Sequence, residues 1–553
     1  MMKEIILVFS VAFLYLDAVR VSTKKGVLIG SDHLRSRHDR VIYSFTGVPY
    51  AKSPVGKLRF KEPQPVESWK TDRNATGPRS ICPQPFMFQK VKRGKLNFIG
   101  KEDCLNLNVF TTSLDPSRKF PVMVFIHGGA YFVSLSRAEP EFLAENVVLI
   151  DVGYRLSSLG FATTGDGVIP GNLGLKDVVL ALKWVNENIE QFGGDPNLVT
   201  VFGDSSGGAM THLLLLSPLT QGLIHRGISM SGTAMCPWAM VPRQLAIDRT
   251  KALAVMCGCP PESSNELVEC LQEIPIRDIV LMSMKFTRGY QLPLTKFAPI
   301  VEEPTAINAF LSIDPSQAQS EIPWIAGIVS GEHLGYPPKF VSQVESNELT
   351  LDDEFDYFLS SWLYPDFKIQ RNHVPGMTKK IKNFYFGDSP MDKNNITKMD
   401  DMIADGWFLQ GLVDSLSTYK GNVYLYFYDY LQSNATFLSI YGHGLNKGRG
   451  ASHEDDLLSL FPISPSFPNR SMSQMDLQVS KKMVDLWTNF AKYGDPTMNT
   501  RAQTTNVNIT KWEPVEKNNM KYKYLEITAA GFTQKEDLLT QRVDFWRTLK
   551  SST

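Results

Sequence analysis

A serine bracketed by glycines separates two apolar runs in VTVFGDSSGGAMTHLLLL, residues 199–216. The β-branched residues before Gly203 are typical of a buried strand, and the apolar stretch after Gly208 predicts a helix from about Ala209. A serine at such a sharp strand-to-helix turn needs flanking glycines, because larger side chains would collide with the returning chain. Alone, the pattern fits either a tight turn or an elbow that presents a nucleophile.

The first half of the chain alternates between strand patterns and helix patterns. FPVMVFI and VVLIDV are short, nearly uncharged runs that predict strands buried on both faces. Residues 171–194 predict a helix, because their apolar residues recur at helical spacing. These residues are Leu175, Val178, Val179, Leu182, Val185 and Ile189. The order predicts an α/β fold with a mostly parallel central sheet flanked by helices.

The second half is less regular but contains helical stretches such as DDMIADGWFLQGLVDSLSTY, residues 400–419. No repeat or proline/serine-rich linker interrupts residues 25–550. We therefore expect one large domain over residues 19–553, with the second half adding strands and helices to the same sheet. Lysine plus arginine and aspartate plus glutamate both total 57, so charge gives no reason to expect a nucleic-acid partner.

The N-terminus has the pattern of a secretory signal peptide. Lys3 precedes an apolar run, Ile5 to Leu16, that is too short to span a bilayer, which predicts a signal over residues 1–18. We expect a secreted protein, or one in the lumen of the secretory pathway, without a membrane anchor. Five Asn-x-Ser/Thr sequons fit this expectation. They are Asn74, Asn395, Asn434, Asn469 and Asn508.

A second glycine-rich loop follows an earlier strand pattern. In VMVFIHGGAYF, residues His127, Gly128, Gly129 and Ala130 come directly after an apolar run. Hydrolases with a serine elbow use backbone N–H groups of such a loop, and of the residue after the nucleophile, to hold an oxyanion. The two loops together favour a serine hydrolase over an ordinary turn.

Several blocks resemble the type-B carboxylesterase and cholinesterase family of α/β hydrolases. They are FTGVPYAKSPVGKLRFKEPQPVESW (45–69), EDCLNLNVF (102–110), HGGAYF (127–132), GYRLSSLGF (153–161), residues 171–209 and MSGTAMCPWA (230–239). The resemblance implies the α/β-hydrolase fold and an ester substrate. It also implies Cys82–Cys104 and Cys259–Cys270 disulfides, while Cys236 and Cys257 either pair or stay free. No metal or nucleotide motif appears in the sequence, so no cofactor and no metal are expected.

The resemblance also implies the catalytic residues. Ser205 takes the place of the nucleophile, and Glu332, five residues after Gly327, takes that of the acid. The charged run Asp352, Asp353 and Glu354 supplies the alternative candidates for the acid, but such a run is typical of a solvent-exposed surface. The local sequence Gly331-Glu332-His333 departs from the Asp-Glu-Gly that is usual there.

The histidine must follow the acid in chain order, which leaves His333, His373, His443 and His453. GASHEDDLLSLFP around His453 resembles the family's histidine loop, whereas His443 in IYGHGLN reads as a loop residue. The oxyanion donors are then expected among Gly128, Gly129, Ala130 and Ser206. Alanine at 130 and serine at 206 replace the usual glycine and alanine but keep the backbone donors.

The loop between Cys82 and Cys104 bears on the substrate. It contains no tryptophan and is rich in basic residues, so a choline group would lose its aromatic partner and meet like charge. We therefore expect a small, uncharged carboxylic ester as substrate and a carboxylesterase as the enzyme. The alternative is a family member with weak or no catalysis that acts as an extracellular binding or adhesion protein. The sequence leaves the oligomeric state undetermined.

Overall fold

Buried, β-branched strands run side by side through the middle of the molecule. The computed structural model describes residues 19–86, 97–134, 138–286, 295–332, 374–390, 395–437, 439, 450–464, 466–498, 508–516 and 521–551. The strands in these ranges are β1 (Val19–Thr23), β2 (Gly26–Arg35), β3 (Val41–Pro49), β4 (Arg73–Asn74), β5 (Gln84–Phe86), β6 (Asn97–Ile99), β7 (Asn106–Thr111), β8 (Phe120–Ile126), β9 (Val148–Val152), β10 (Gly194–Asp204), β11 (Arg226–Met230), β12 (Trp324–Val329), β13 (Val423–Tyr428), β14 (Tyr524–Thr528) and β15 (Gly531–Lys535).

Helices connect most of the parallel strands and cover the sheet. They are α1 (Ser157–Phe161), α2 (Leu173–Asn188), α3 (Ser206–Leu216), α4 (Arg243–Met256), α5 (Ser264–Glu273), α6 (Ile276–Ser283), α7 (Val374–Tyr385), α8 (Ile396–Ala404), α9 (Gln410–Thr418), α10 (Gln474–Tyr493) and α11 (Thr540–Ser551). Helix α2 confirms the helix that the apolar spacing predicts.

Thirteen of the described strands form one sheet. Its order is β1-β2-β3-β7-β9-β8-β10-β11-β12-β13-β14-β15, with β4 beside β2, while β5 and β6 form a separate two-stranded ribbon. The central pairs from β9 through β8 and β10 to β14 are parallel. The outer pairs β1–β2, β2–β3, β3–β7, β7–β9 and β14–β15 are antiparallel. The predicted mostly parallel α/β sheet and single large domain are confirmed.

Each face of the sheet has its own apolar core. Along β8, Val122, Val124 and Ile126 point into one core, and Met123 and Phe125 into the other. This alternation follows from the two-residue period of a strand. Strands that are apolar at every position can therefore be buried on both faces, as the sequence predicts.

Two of the predicted helices differ in detail from the expectation. Helix α3 begins at Ser206 rather than near Ala209, because the Ala209 N–H already donates to the Ser205 carbonyl at 3.0 Å. The helix predicted over residues 400–419 is interrupted by a π-helical turn, Asp405–Leu409, between α8 and α9. Such turns insert an extra residue and are frequent at functional sites.

The cysteine pairing agrees with the resemblance. Cys82 bonds to Cys104 and Cys259 bonds to Cys270. The question that the sequence left open is settled in favour of free thiols at Cys236, which is buried, and Cys257, which is half-buried.

The predicted signal peptide, residues 1–18, lies outside the described residues, so it stays a prediction. None of the helices described is long and apolar enough to cross a membrane. The sequon asparagines at 74, 434, 469 and 508 are exposed, and Asn395 is partly exposed.

Candidate active site

Ser205 occupies the junction between strand β10 and helix α3. Its backbone has φ 55° and ψ −123°, a conformation that a residue with a Cβ adopts only at a cost of about 1–3 kcal/mol. The Ser205 N–H donates to the carbonyl of Met230 on the neighbouring strand β11 at 2.7 Å. Strand and helix together therefore hold the serine in a strained turn at the end of the sheet.

The glycines around Ser205 are explained by close backbone contacts. A Cβ on Gly203 or on Gly207 would overlap the carbonyl oxygen of Ile126, at the end of strand β8. A Cβ on Gly208 would lie 2.8 Å from the Met230 carbonyl oxygen. The helix can follow the strand this closely only because these three positions lack side chains.

Glu332 and His453 meet through two loops at the same end of the sheet. Glu332 lies three residues beyond strand β12, and its Oε2 is 2.6 Å from Nδ1 of His453. The other carboxylate oxygen, Oε1, accepts the Val329 N–H at 2.9 Å. Gly331 and Ser452 form a parallel β-bridge beside the pair, which fixes the two loops to each other.

The imidazole of His453 is buried and has one nitrogen left over. His453 and Glu332 are 0% and 1% exposed, so little water competes for their hydrogen bond. The ring of Phe408 packs against the imidazole, with 4.8 Å between centroids. Within the described part of the chain, Nε2 has no hydrogen-bond partner, and no hydrogen bond joins it to Ser205 Oγ. With Nδ1–H donated to the carboxylate, Nε2 is the nitrogen that is available to accept a proton.

The loop after strand β8 curls over the serine elbow. Gly129, Ala130 and Tyr131 all have positive φ, at 111°, 54° and 59°. The Tyr131 N–H donates to Ser206 Oγ at 3.3 Å, which joins this loop to the elbow. Within the described part of the chain, the N–H groups of Gly129, Ala130 and Ser206 have no hydrogen-bond acceptor.

Gly128 differs from the other expected oxyanion donors. Its N–H already donates to Oδ1 of Asp204 at 3.2 Å, so it is engaged within the protein. The Gly128 N–H is therefore not available as an oxyanion donor.

Two acidic residues flank the candidate catalytic serine and histidine in the sequence and meet in space. Asp204 precedes Ser205, Glu454 follows His453, and both side chains are buried. Burial raises the pKa of Asp204, against the lowering effect of a side-chain hydrogen bond with Glu454. Asp204 and Glu454 therefore form a buried contact between the serine elbow and the histidine loop.

Two further carboxyl groups follow in the same turn. Asp455 accepts the N–H groups of Ser452 and Phe437 at 2.9 and 2.7 Å, and so shapes the loop that carries His453. Asp456 accepts the Tyr426 hydroxyl at 2.7 Å. Burial raises the pKa of Asp455 to about 6 and that of Asp456 to about 7.

The structure brings Glu332 and His453 into contact and joins the loop after strand β8 to the serine elbow. Sequence reasoning missed the contact between Asp204 and Glu454, and the packing of Phe408 on the histidine. Asp204 and Glu454 stand next to Ser205 and His453 in the sequence, but no sequence pattern indicates that the two acidic residues contact each other. The rival candidates lie outside the described residues. They are His333, His373, His443, Asp352, Asp353 and Glu354.

A strained serine elbow, a carboxylate–histidine pair and a loop of unpartnered N–H groups at the end of a parallel sheet define a hydrolase of the α/β class. Comparison with known proteins agrees. The model of the carboxylesterase family matches residues 17–546.

Three relatives have similar length. Venom carboxylesterase-6 of Apis mellifera is 33% identical over 96% of this chain and 94% of its own. Juvenile hormone esterase of Tribolium castaneum is 35% identical over 95% of this chain and 93% of its own. Esterase FE4 of Myzus persicae is 35% identical over 87% of this chain and 84% of its own. The chain belongs to the carboxylesterase family and is a carboxylic ester hydrolase.

Proposed function

We propose that this protein is a secreted serine carboxylesterase that hydrolyses uncharged carboxylic esters through an acyl-enzyme on Ser205. The observation that carries the proposal is the buried Glu332–His453 hydrogen bond, with Nε2 of the imidazole unpartnered among the described residues. A serine hydroxyl is a weak nucleophile until such a base removes its proton.

In the proposed reaction, His453 takes the Ser205 proton while Oγ attacks the ester carbonyl. Glu332 keeps the proton of Nδ1 facing it and stabilises the imidazolium that forms. The imidazolium then donates its Nε2 proton to the departing alcohol. Water, deprotonated by the same nitrogen, cleaves the acyl-enzyme and releases the carboxylic acid.

The negative charge on the tetrahedral intermediate needs donors that are already in place. The N–H groups of Gly129, Ala130 and Ser206 are our candidates, because each lacks an acceptor within the described part of the chain. Removal of one such donor typically lowers kcat by about 10²–10³-fold.

Aromatic side chains near the imidazole fit an apolar, uncharged ester. Phe408 packs on His453, and Trp238 packs on Phe408 with 5.7 Å between ring centroids. The loop between Cys82 and Cys104 is basic and lacks tryptophan, which disfavours a cationic alcohol group.

Secretion is supported by three independent features. These are the signal-like N-terminus, the exposed sequons and the two disulfides, because disulfides persist mainly in oxidising compartments. Two of the relatives, a venom carboxylesterase and a juvenile hormone esterase, support a small extracellular ester as the substrate class.

The test is hydrolysis of p-nitrophenyl butyrate by protein collected from the medium of secreting cells. We expect turnover by the wild type and none above background for Ser205→Ala and His453→Ala. His443→Ala is the matched control for the histidine and should keep wild-type activity. A folded wild-type protein without turnover would favour the binding or adhesion alternative, and an inactive His443→Ala would reassign the base.

A further inference from the structure

A lysine close to the candidate active site is buried without an anionic partner among the residues that the structure describes. Lys296 is only 9% exposed, and its Nζ lies 4.8 Å from the ring centroid of Phe132. No carboxylate in the described part of the chain pairs with this ammonium group, and no hydrogen-bond acceptor there partners it. Its neighbour is a second buried cation, Arg249, which donates to the Lys296 carbonyl at 2.6 Å.

Lys296 touches the structures that enclose the serine. Phe132, over which its Nζ lies, belongs to the curled loop after strand β8 and donates its N–H to the Gly129 carbonyl at 2.9 Å. On the other side, the Thr295 hydroxyl donates to the Trp238 carbonyl at 2.7 Å. Lys296 therefore lies between the oxyanion loop and an aromatic wall formed by Trp238 and Phe408.

The aromatic wall extends as far as the proposed catalytic histidine. The Trp238 ring contacts Phe408, which packs on His453. The same indole lies against Gly232, at which a Cβ would overlap the Ser205 carbonyl oxygen. Lys296 is thus linked to the serine elbow through Phe132 on one side, and to His453 through Thr295, Trp238 and Phe408 on the other.

An unpaired buried ammonium is costly, and lysines are almost never fully buried unless paired. Burial, reinforced by the Arg249 charge, lowers the pKa of Lys296 to about 8. The side chain is therefore still mainly protonated at pH 7. A cation retained at such a cost without an acid of its own is a candidate for binding an anion.

We propose that Lys296 binds the carboxylate of a ligand at the side wall of the ester site. This inference rests on the proposed esterase function and extends its substrate class. The carboxylate has two possible sources. It is either carried by the substrate, as in a half-ester of a dicarboxylic acid, or it is that of the carboxylic acid product.

The experiment compares two substrates within each variant at pH 7. They are the p-nitrophenyl half-ester of glutaric acid and its neutral methyl ester, with spontaneous hydrolysis subtracted. The readout is the ratio of kcat/KM for the acidic ester to that for the neutral ester. A second arm measures the inhibition constant of free butyrate against p-nitrophenyl butyrate.

Lys296→Met removes the charge and Lys296→Arg retains it. Lys251→Met is the matched control, because Lys251 is exposed on α4, the helix that carries Arg249. If the substrate supplies the carboxylate, Lys296→Met lowers the kcat/KM ratio by about tenfold, as for loss of a charged hydrogen bond. If the product supplies it, butyrate inhibition weakens by a similar factor while the ratio is constant.

Lys296→Arg should preserve most of either effect, and Lys251→Met should match the wild type. Because the ratio is taken within one variant, a change in the amount of folded enzyme cancels. Removal of an unpaired buried charge should also leave the thermal midpoint unchanged or raise it, whereas a purely structural lysine would lower it on substitution. If Lys296→Met changes neither the ratio nor butyrate inhibition, the proposal is overturned. Failure of the esterase function itself would appear separately, as absence of turnover of the neutral ester by the wild type.

Discussion

At the scale of single residues, several carboxyl groups surround the imidazole of His453. Glu332, Asp204, Glu454 and Asp456 are all buried close to His453. Like charges at close range disfavour the ionisation of a buried carboxyl group. Asp456 shows this plainly, because burial, with the charges of Glu332 and Asp204, raises its pKa to about 7.

Asp456→Asn should change how stability depends on pH. Between pH 4 and 7 the folded wild type keeps the Asp456 proton, whereas the unfolded chain releases it. The folded state then binds more protons, so its free energy of unfolding falls as the pH rises. From pH 5 to 7.5 we expect the wild type to lose about 2–3 kcal/mol more than Asp456→Asn.

Urea unfolding of both proteins at the two pH values measures this difference. The exposed Asp39→Asn is the control and should follow the wild type. Parallel pH profiles for the wild type and Asp456→Asn would contradict the prediction.

At the scale of elements, the elbow depends on how closely α3 follows β10. Gly207 is inside the helix, where glycine ordinarily costs about 1 kcal/mol relative to alanine. Here the contact with the Ile126 backbone outweighs that preference. The site geometry, rather than helix propensity, therefore selects glycine at this position.

Gly207→Ala should be strongly destabilising, since its Cβ would displace the Ile126 backbone and the loop that follows it. We expect a loss of about 3 kcal/mol or more and at least about a tenfold fall in kcat/KM. Gly376→Ala is the matched control, because Gly376 is also helical but a Cβ there meets no atom within 4 Å. That control should be neutral or stabilised by up to about 1 kcal/mol. Thermal melts and p-nitrophenyl butyrate kinetics measure both changes, and a Gly207→Ala protein as stable and active as the control would refute the account.

At the scale of the whole molecule, the first and the last described strands lie in one sheet. Strand β1 begins at Val19 and strand β15 ends at Lys535, with the parallel strands between them. The Cys82–Cys104 and Cys259–Cys270 disulfides close loops outside this sheet and reduce the conformational freedom of the unfolded chain.

Removal of the Cys82–Cys104 bond should lower stability without touching the catalytic groups. For a sequence separation of 22, the expected loss for Cys82→Ser with Cys104→Ser is about 3 kcal/mol. Cys257→Ser, at a half-buried free thiol, is the control and should melt close to the wild type. Thermal midpoints under non-reducing conditions measure the difference, and equal midpoints for the two variants would contradict the prediction.

Local patterns in the sequence determined the parallel strands, helix α2 and the elbow, because each depends on side chains within a few residues. The blocks that resemble the carboxylesterase family added the disulfides and named Ser205, Glu332 and His453. Tertiary structure decided the rest. The Gly128 N–H donates to Asp204, Asp204 contacts Glu454, and Lys296 has no acidic partner among the described residues. These properties depend on burial and on contacts between distant segments, since a charge costs free energy only once folding has removed its water.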